Sequence, residues 1–551
     1  MKRTLLTLSA FSFFLLSSLA CTNVIVGKKA SADGSVFVSY NADSYGMYGN
    51  LYRHVGSTHQ KGEMRKIFDW DTNKYLGEIP QAERTYNVVG QMNENQVSIT
   101  ETTFGGREEL ADSTGIIDYG SLIYIALERS ISARNAIEIM TSLVAQYGYY
   151  SEGETFSICD KNEAWIMEMM GKGPGSKGAV WVAIRIPDDC VCAHANQSRI
   201  TRFNLKDKNN VLYAKDVIKF ARAKGFFTGK NDADFSFRDA YAPNDFGAVR
   251  FCEARAWSAF NRLCDGMDKY IEYAKGNELN GEMPLYLKPK KPVTLEDVMG
   301  CMRDHYEGTP FDIQNELGAG PYNMPYRPTP LTFKVDSKEC FNERPISTQQ
   351  TSFCFIGQMR SQYPDCIGGV VWFTNDDPNM APFVPIYCGV SEVPKCFQRI
   401  EGVQDDVTFS WESAFWLQNT VSNMVYPYYD KMFPDLLRYR KHIEEIYVDS
   451  ESDNVNILIE KIYQPSGKDE TIKKATEYCC NVASDSMMKK WTELFKFLVV
   501  KHNDMAVKKT DDRDRFLKTP YGYAEAPNRP GYPEAYRQQI LKATGDKYLM
   551  K

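Results

Sequence analysis

Two short runs rich in β-branched residues, Thr22 to Lys28 and Val36 to Tyr40, constrain the fold of this chain more than any other feature. The residues between them, Ala32-Asp33-Gly34-Ser35, are typical of a tight turn. An antiparallel hairpin centred on this turn is therefore predicted. In that hairpin, residue 21 falls opposite residues 43 to 45.

The twenty residues ahead of this hairpin have the layout of a secretory signal peptide. Two basic residues open the chain, Leu5 to Leu19 is an apolar run relieved by Ser and Thr, and Ser18 and Ala20 place small residues at −3 and −1. Cleavage after Ala20 would remove residues 1–20 and make Cys21 the first residue of the mature protein. The sequence thus predicts export to the periplasm or the cell exterior.

A cysteine at a free N-terminus combines a nucleophile with a base. Its α-amino group titrates near about 7.7–8.0 and its thiol near about 8.5, and an N-terminal amine can activate a nucleophile for acyl transfer. In the predicted hairpin, Asp43 lies beside Cys21, where its carboxylate could hold the ammonium group. A simpler alternative is that Asp43 merely ends a strand.

Lipid attachment is the main rival interpretation of Cys21. Bacterial lipoproteins also begin with a cysteine at the cleavage site, and acylation would abolish its nucleophilic role. Such sites usually have Leu at −3, whereas this chain has Ser18 there and Leu19 at −2. A lipid anchor is therefore the less favoured reading, and it stays open.

The segment Cys21 to Ser35, followed by Asn41-x-Asp43, resembles the start of the dipeptidase A/secernin-type cysteine dipeptidases. These are N-terminal nucleophile (Ntn) hydrolases, distantly related to penicillin V acylase and bile salt hydrolase. The resemblance covers roughly residues 21 to 400. Further blocks match in the same order along the chain: Met92-Asn93-Glu94, Glu101-Thr102-Thr103-Phe104-Gly105, Ile117-Asp118-Tyr119-Gly120-Ser121, Arg185-Ile186-Pro187-Asp188-Asp189, Ala193-His194-Ala195-Asn196-Gln197-Ser198-Arg199-Ile200, His305-Tyr306-Glu307-Gly308-Thr309 and Gln358-Met359-Arg360.

This resemblance implies an α+β fold, a four-layer αββα sandwich spanning residues 21–400. Helical patterns after about residue 405 predict a C-terminal helical extension over 405–551 that packs on the catalytic domain. It implies hydrolysis of dipeptides through an acyl-enzyme on Cys21. Three alternatives remain. The protein could be an amidase of the penicillin V acylase or bile salt hydrolase type, a ligand-binding lipoprotein without catalysis, or a scaffold that does not need Cys21.

The same resemblance suggests further catalytic residues. Asn196 matches an oxyanion-stabilising Asn, and Arg255 matches a late Arg that lies near the nucleophile and would stabilise a thiolate. Arg250 competes for the second role. Thr103 occupies or adjoins the place where acylase relatives carry another oxyanion Asn. Plainer readings are a turn residue for Asn196, a surface salt bridge for Arg255 and an ordinary strand residue for Thr103.

One position departs from the family pattern. Many of the dipeptidases read Arg-Asn-x-Asp, whereas this chain reads Tyr40-Asn41-Ala42-Asp43. Tyr40 and Asn41 are accordingly candidates for substrate binding. The loss of a guanidinium at position 40 puts substrate binding or the tuning of the nucleophile in doubt, but it removes neither the nucleophile nor its base.

Apolar periodicity predicts further elements independently of the resemblance. Ser132 is a suitable N-cap and Gly148 a suitable stop for the second helix. In the predicted strand over 164–170, Trp165, Met167 and Met169 share one face. The predicted helices cover 119–129, 133–147, 411–428, 435–447 and 470–503. The predicted strands cover 85–90, 96–103, 155–159, 164–170, 179–186, 351–358, 367–373 and 382–387.

Several classes of partner are not indicated. The net charge of −6 gives no reason to expect nucleic acid, and no apolar run after the leader reaches the length of about 18 residues that a membrane span needs. Cys190-x-Cys192-x-His194 lies on a predicted strand, where residues i and i+4 are about 13 Å apart, too far to share one zinc ion. The sequence thus predicts no metal, no cofactor and a small peptide substrate, and leaves open whether the protein is a homo-oligomer.

Overall fold

The computed structural model describes residues 21–463 and 470–550, so the predicted leader lies outside the described residues. In the described part, the strands form two large antiparallel sheets and two separate two-stranded ribbons. Helices lie between and after these strands, and the longest of them are near the C-terminus. The architecture is mixed α+β, as predicted.

The first large sheet contains the strand that follows Cys21. Its members are β1 (Thr22–Val26), β2 (Val36–Asp43), β12 (Val191–Ala195), β14 (Tyr286–Leu287), β17 (Thr351–Met359), β18 (Gly369–Asn375) and β19 (Val384–Tyr387). Their order across the sheet is β14-β12-β1-β2-β17-β18-β19. β1 therefore lies inside the sheet, with β12 on one side and β2 on the other.

The second large sheet has eight strands. They are β3 (Arg53–His54), β6 (Val88–Val89), β7 (Met92–Asn93), β8 (Ser98–Phe104), β9 (Gly153–Cys159), β10 (Ala164–Gly171), β11 (Ala179–Ile186) and β13 (Val211–Tyr213), in the order β13-β11-β10-β9-β8-β7-β6-β3. The ribbons pair β4 (Met64–Phe68) with β5 (Tyr75–Pro80) and β15 (Thr332–Val335) with β16 (Lys338–Phe341). Of the strand predicted over 85–90, only β6 is found, and the chain turns at Gly90, with φ +56°, between β6 and β7.

The helices predicted over 119–129 and 133–147 are found with the predicted bounds, and the one over 470–503 ends two residues early, whereas the one over 435–447 is much longer and the one over 411–428 is shorter. They are α1 (Tyr119–Arg129), α2 (Ala133–Tyr147), α3 (Val217–Lys224), α4 (Phe237–Tyr241), α5 (Ala254–Leu263), α6 (Ile271–Ala274), α7 (Leu295–Met302), α8 (Asp365–Gly368), α9 (Ala414–Val425), α10 (Tyr429–Ile457), α11 (Glu470–Lys501) and α12 (Glu534–Thr544). The Ser132 side chain accepts from the Asn135 backbone N–H, so it is the N-cap of α2, and Gly148 with φ +81° ends that helix. Both end signals are confirmed.

The predicted hairpin of β1 and β2 is confirmed, but its register is not. Thr22 pairs with Asn41 and Val26 with Phe37, which places residue 21 level with residue 42 rather than with 43 to 45. The difference arises because the chain turns twice between the strands. The Ala30 N–H donates to the Gly27 carbonyl oxygen at 2.9 Å before the second turn begins.

Two buried clusters organise the helices around the sheets. α1 and α2 pack on the face of the eight-stranded sheet that carries Trp165, Met167 and Met169 of β10, as the alternation predicts. Ile166 and Met170 of the same strand join a second cluster, which includes residues of the seven-stranded sheet. Helices α5, α7, α9, α10 and α11 contact strands of that sheet. Over residues 21–463 and 470–550, no helix combines the length and apolarity needed to cross a membrane.

Candidate active site

Cys21 lies directly before β1 and is 1% exposed. Its sulfur lies 3.6 Å from the Tyr40 hydroxyl oxygen and 3.6 Å from Oε1 of Glu101 on β8. The Tyr40 hydroxyl also donates a hydrogen bond to Glu101. The thiol thus lies between the two large sheets, against a phenol from one and a carboxyl group from the other.

The surroundings of the sulfur favour the neutral thiol. Burial raises the pKa of Cys21 well above its ordinary value, and the negative charges of Glu101 and Asp43 raise it further. Hydrogen bonds from the Asp43 backbone N–H and from Tyr40 act in the opposite direction and lower that pKa. A thiolate at this position needs a positive charge nearby.

Asp43 is held at the end of β2 by two short hydrogen bonds. Arg344 Nη2 donates to its Oδ2 at 2.6 Å, and Thr351 Oγ1 donates to its Oδ1 at 2.6 Å. All three side chains are buried. Burial raises the pKa of Asp43 to about 6, although the charge of Arg344 and the Thr351 hydrogen bond oppose that rise. Asp43 therefore changes charge close to neutral pH.

Arg255, on α5, is 1% exposed and binds the backbone of the nucleophile. Its Nη1 donates to the Cys21 carbonyl oxygen at 2.7 Å and to Thr22 Oγ1 at 2.7 Å. Its donors are directed at oxygen acceptors beside the nucleophile, and stabilisation of a thiolate by this guanidinium stays a prediction. Arg250, the competing candidate, forms an ion pair with Glu343 instead.

Asn196 and Thr103 extend the same network. Arg255 Nη2 donates to Asn196 Oδ1 at 2.8 Å, and Asn196 Nδ2 donates to the Thr103 carbonyl oxygen at 2.8 Å. The Thr103 hydroxyl donates to Glu154 at 3.0 Å. Asn41 lies apart: its amide donates to two backbone carbonyl oxygens outside this network, both at 3.1 Å. A substrate contact for Asn41 stays a prediction.

Three charged residues of this cluster carried no predicted role. Glu101 belongs to one of the matching sequence blocks, and its carboxyl group hydrogen-bonds that of Glu154 on the neighbouring strand β9. Burial raises the pKa of both groups, and the charge of Glu101 raises that of Glu154 further, whereas the hydrogen bond from Glu154 lowers that of Glu101. An acidic residue in a Thr-rich strand was a usable signal for Glu101. Arg344 has no local signal, since it reaches Asp43 from 301 residues away.

In the Cys190-x-Cys192-x-His194 segment, Cys190 lies directly before β12, and Cys192 and His194 lie within it. His194 packs against the eight-stranded sheet. Its ring nitrogens lie 2.8 Å from Thr102 Oγ1 and 2.7 Å from Ser157 Oγ. Burial lowers the pKa of His194 to about 3, so the ring is neutral. These hydroxyls join β12 to the eight-stranded sheet beneath the nucleophile.

The model of peptidase family C69 matches residues 20–442. The chain belongs to peptidase family C69. This confirms the resemblance to dipeptidase A, and the match runs past residue 400, where the predicted catalytic domain ends. It begins one residue before Cys21.

Several bacterial proteins described as dipeptidases or probable dipeptidases are similar to this chain. A probable dipeptidase of Latilactobacillus sakei is 25% identical over 447 residues, covering 77% of this chain and 85% of that protein. A probable dipeptidase of Salmonella dublin is 26% identical over 392 residues, covering 68% and 82%. Dipeptidase A of Lactobacillus helveticus is 24% identical over 428 residues, covering 73% and 81%.

Proposed function

We propose that this C69 protein is an exported cysteine dipeptidase whose mature chain begins at Cys21. The observation that carries the proposal is the convergence of Tyr40, Asp43, Arg255 and Glu101 on the sulfur or backbone of Cys21. The names of the related proteins support dipeptides as substrates. The signal-like leader supports cleavage after residue 20.

The fold that accompanies this function is the four-layer αββα sandwich of the Ntn hydrolases. Its support comes from the contacts of neighbouring residues on opposite faces of one sheet. Thr22 contacts Arg255 of α5, whereas Cys21 contacts Glu101 of the eight-stranded sheet, whose other face carries α1 and α2. The proposed catalytic domain covers 21–400, and the helices within 405–551 form an extension that packs on the seven-stranded sheet.

In the first step, the free α-amine of Cys21 takes the thiol proton and the sulfur attacks the substrate carbonyl. Processing creates this amine, since the nitrogen of an internal Cys21 is an amide without a basic lone pair. The positive charge that forms on the amine offsets the burial and the carboxylates that oppose a thiolate. The Asp43 carboxylate orients the ammonium group.

The second step breaks the amide bond. The Asn196 amide and a backbone N–H stabilise the oxyanion, and the Cys21 ammonium returns its proton to the leaving nitrogen. Arg255 holds both Asn196 and the Cys21 carbonyl in place, so it acts as a positioning residue. Water then attacks the thioester carbonyl carbon, the sulfur leaves, and the free amino acid is released.

Intact mass and N-terminal sequencing of the mature protein test the processing step. A chain that begins at Cys21 with an unmodified amine is expected, and a diacylglyceryl mass on Cys21 would establish the lipoprotein alternative instead. Hydrolysis of a dipeptide panel tests the reaction. We expect Cys21→Ala to abolish turnover, and retained turnover would refute the mechanism. A preference for bulky acyl amides over dipeptides would establish the amidase alternative.

A further inference from the structure

We propose that Glu101 and Glu154 form a subsite for the α-ammonium group of the first substrate residue, which restricts the enzyme to peptides with a free N-terminus. The inference rests on the proposed dipeptidase function and adds the basis of its specificity. It concerns the carboxyl pair on β8 and β9, next to the nucleophile.

The first support is an uncompensated negative charge. Glu101 is 2% exposed and Glu154 is 0% exposed. Among the described residues, no Lys, Arg or His nitrogen lies within 4 Å of either carboxyl group. A carboxylate at this pair therefore has no partner cation among the described residues, and a single ammonium ion would supply the missing charge.

The second support is the set of donors around the pair. Glu101 Oε1 accepts from the Tyr40 hydroxyl, and Glu154 Oε2 accepts from the Thr103 hydroxyl. Glu101 Oε2 and Glu154 Oε1 are buried and have no hydrogen-bond partner among the described residues apart from the carboxyl group of the other Glu. Tyr40 supplies Glu101 with a hydrogen-bond donor but no positive charge. A substrate ammonium would supply both the charge and the donors.

The third support is the distance from the carboxyl group to the sulfur. An α-ammonium nitrogen lies about 2.5 Å from the carbonyl carbon of its own residue. Reacting atoms approach to about 3–3.5 Å before attack. Because Glu101 Oε1 is 3.6 Å from Cys21 Sγ, an ammonium bound to it places the first carbonyl of the peptide at the sulfur. The second carbonyl lies a further residue away, about 3.6 Å along an extended chain.

The arrangement also makes formation of the Cys21 thiolate depend on a substrate with a free ammonium group. In the empty site, the Glu101 charge opposes formation of the thiolate. A bound ammonium group neutralises that charge and favours the reactive form of Cys21. An N-acyl amide carries no such charge, so its binding would leave the buried carboxylate without a partner cation, which is unfavourable. The site is therefore selective against the substrates of acylase-type enzymes.

The test compares alanyl-alanine with N-acetyl-alanyl-alanine. We expect the wild-type enzyme to favour the free dipeptide at least 100-fold in kcat/KM, and Glu101→Gln to reduce that ratio at least 10-fold, mainly through KM. Glu168→Gln is the matched control, because Glu168 is a buried carboxyl group of the same sheet that bonds Ser198 and the backbone of Arg199. This control is expected to keep the wild-type ratio.

The outcomes separate the two proposals. Hydrolysis of both peptides at equal kcat/KM, or an unchanged ratio in Glu101→Gln, would overturn the ammonium subsite and leave the hydrolase intact. Failure of the processed wild-type enzyme to hydrolyse any dipeptide would overturn the proposed function itself. If Glu101→Gln does not fold, calorimetry on Cys21→Ala decides the question: tighter binding of the free dipeptide supports the subsite, and equal affinity refutes it.

Discussion

Arg255 binds the backbone carbonyl oxygen of Cys21 at 2.7 Å across 234 residues of sequence. The same guanidinium also donates to three other uncharged acceptors: Thr22 Oγ1, Asn196 Oδ1 and the Phe251 carbonyl oxygen. Burial and the charge of Arg344 lower its pKa to about 10, so it stays protonated at neutral pH. Its fork of donors fixes the start of β1 relative to the proposed oxyanion donor.

Replacement of Arg255 by Lys is expected to lower kcat about 100-fold, since a single ammonium cannot reproduce a planar fork and a small misplacement of reacting groups costs that much. KM is expected to change little. Arg250→Lys is the matched control, because a lysine there can still pair with Glu343. Steady-state kinetics of both variants measure the effect. Equal losses at the two positions would contradict a specific role for Arg255.

The pH dependence of kcat/KM is expected to show a loss of activity as pH falls through about 6. The pKa of Asp43 is about 6, and its protonation removes the negative charge that orients the Cys21 ammonium. Asp43→Asn should lower the rate at neutral pH and remove this acid limb. A limb that persists unchanged in the variant would assign the titration to another group.

Arg344 sets the position of that limb. Its charge holds the pKa of Asp43 below the value that burial alone would produce. Arg344→Gln is therefore expected to move the acid limb to higher pH, by about one unit or more, while Arg344→Lys moves it less. The measurement is the same pH profile of kcat/KM. A limb at unchanged pH in Arg344→Gln would refute the coupling.

Asp43 is expected to make stability and activity depend on pH in opposite directions. Its pKa in the folded chain, about 6, exceeds the ordinary value of 3.8. Its contribution to stability is thus fully present below pH 3.8 and is lost as pH rises through about 6. The free energy of unfolding of the wild type, relative to that of Asp43→Asn, should fall across this window. Urea titrations at several pH values check the sign.

Arg360 joins the end of β17 to helix α10. Its guanidinium donates to both oxygens of Glu451, at 2.9 and 3.2 Å, and the two side chains are 7% and 5% exposed. Glu451→Gln is expected to cost about 3–5 kcal/mol of unfolding free energy, because it leaves a buried cation without its partner. Activity at low temperature should be retained. A double change, Arg360→Met with Glu451→Leu, should cost less, and an equal cost would refute the pairing argument.

The parts of the structure that follow from short-range patterns were predictable. α1 and α2 begin and end where periodicity and capping residues indicate, since those signals act within one turn. The hairpin that brings Asp43 to Cys21 is also local. Its register was missed because Gly27 and Ala30 form an additional turn that the Asp33-Gly34 signal conceals.

Long-range charges were not predictable in the same way. Arg344 comes from a loop before β17 and reaches Asp43 only in the folded chain. Glu154 lies beside Glu101 only because β9 pairs with β8. No periodicity marks either residue. Arg255 was located through family resemblance, yet its bond to a carbonyl oxygen rather than to the sulfur required the geometry of α5. The resemblance supplied positions, and the packing supplied the roles.

The six residues before α5, Ala248–Glu253, form a π-helix. Because its hydrogen bonds run from i to i+5, such a turn holds one residue more than an α-helical turn. Each residue of an α-helix rotates the next by about 100°. Deleting a single residue from this stretch would therefore swing Arg255 to another side of its helix without altering the sequence of α5.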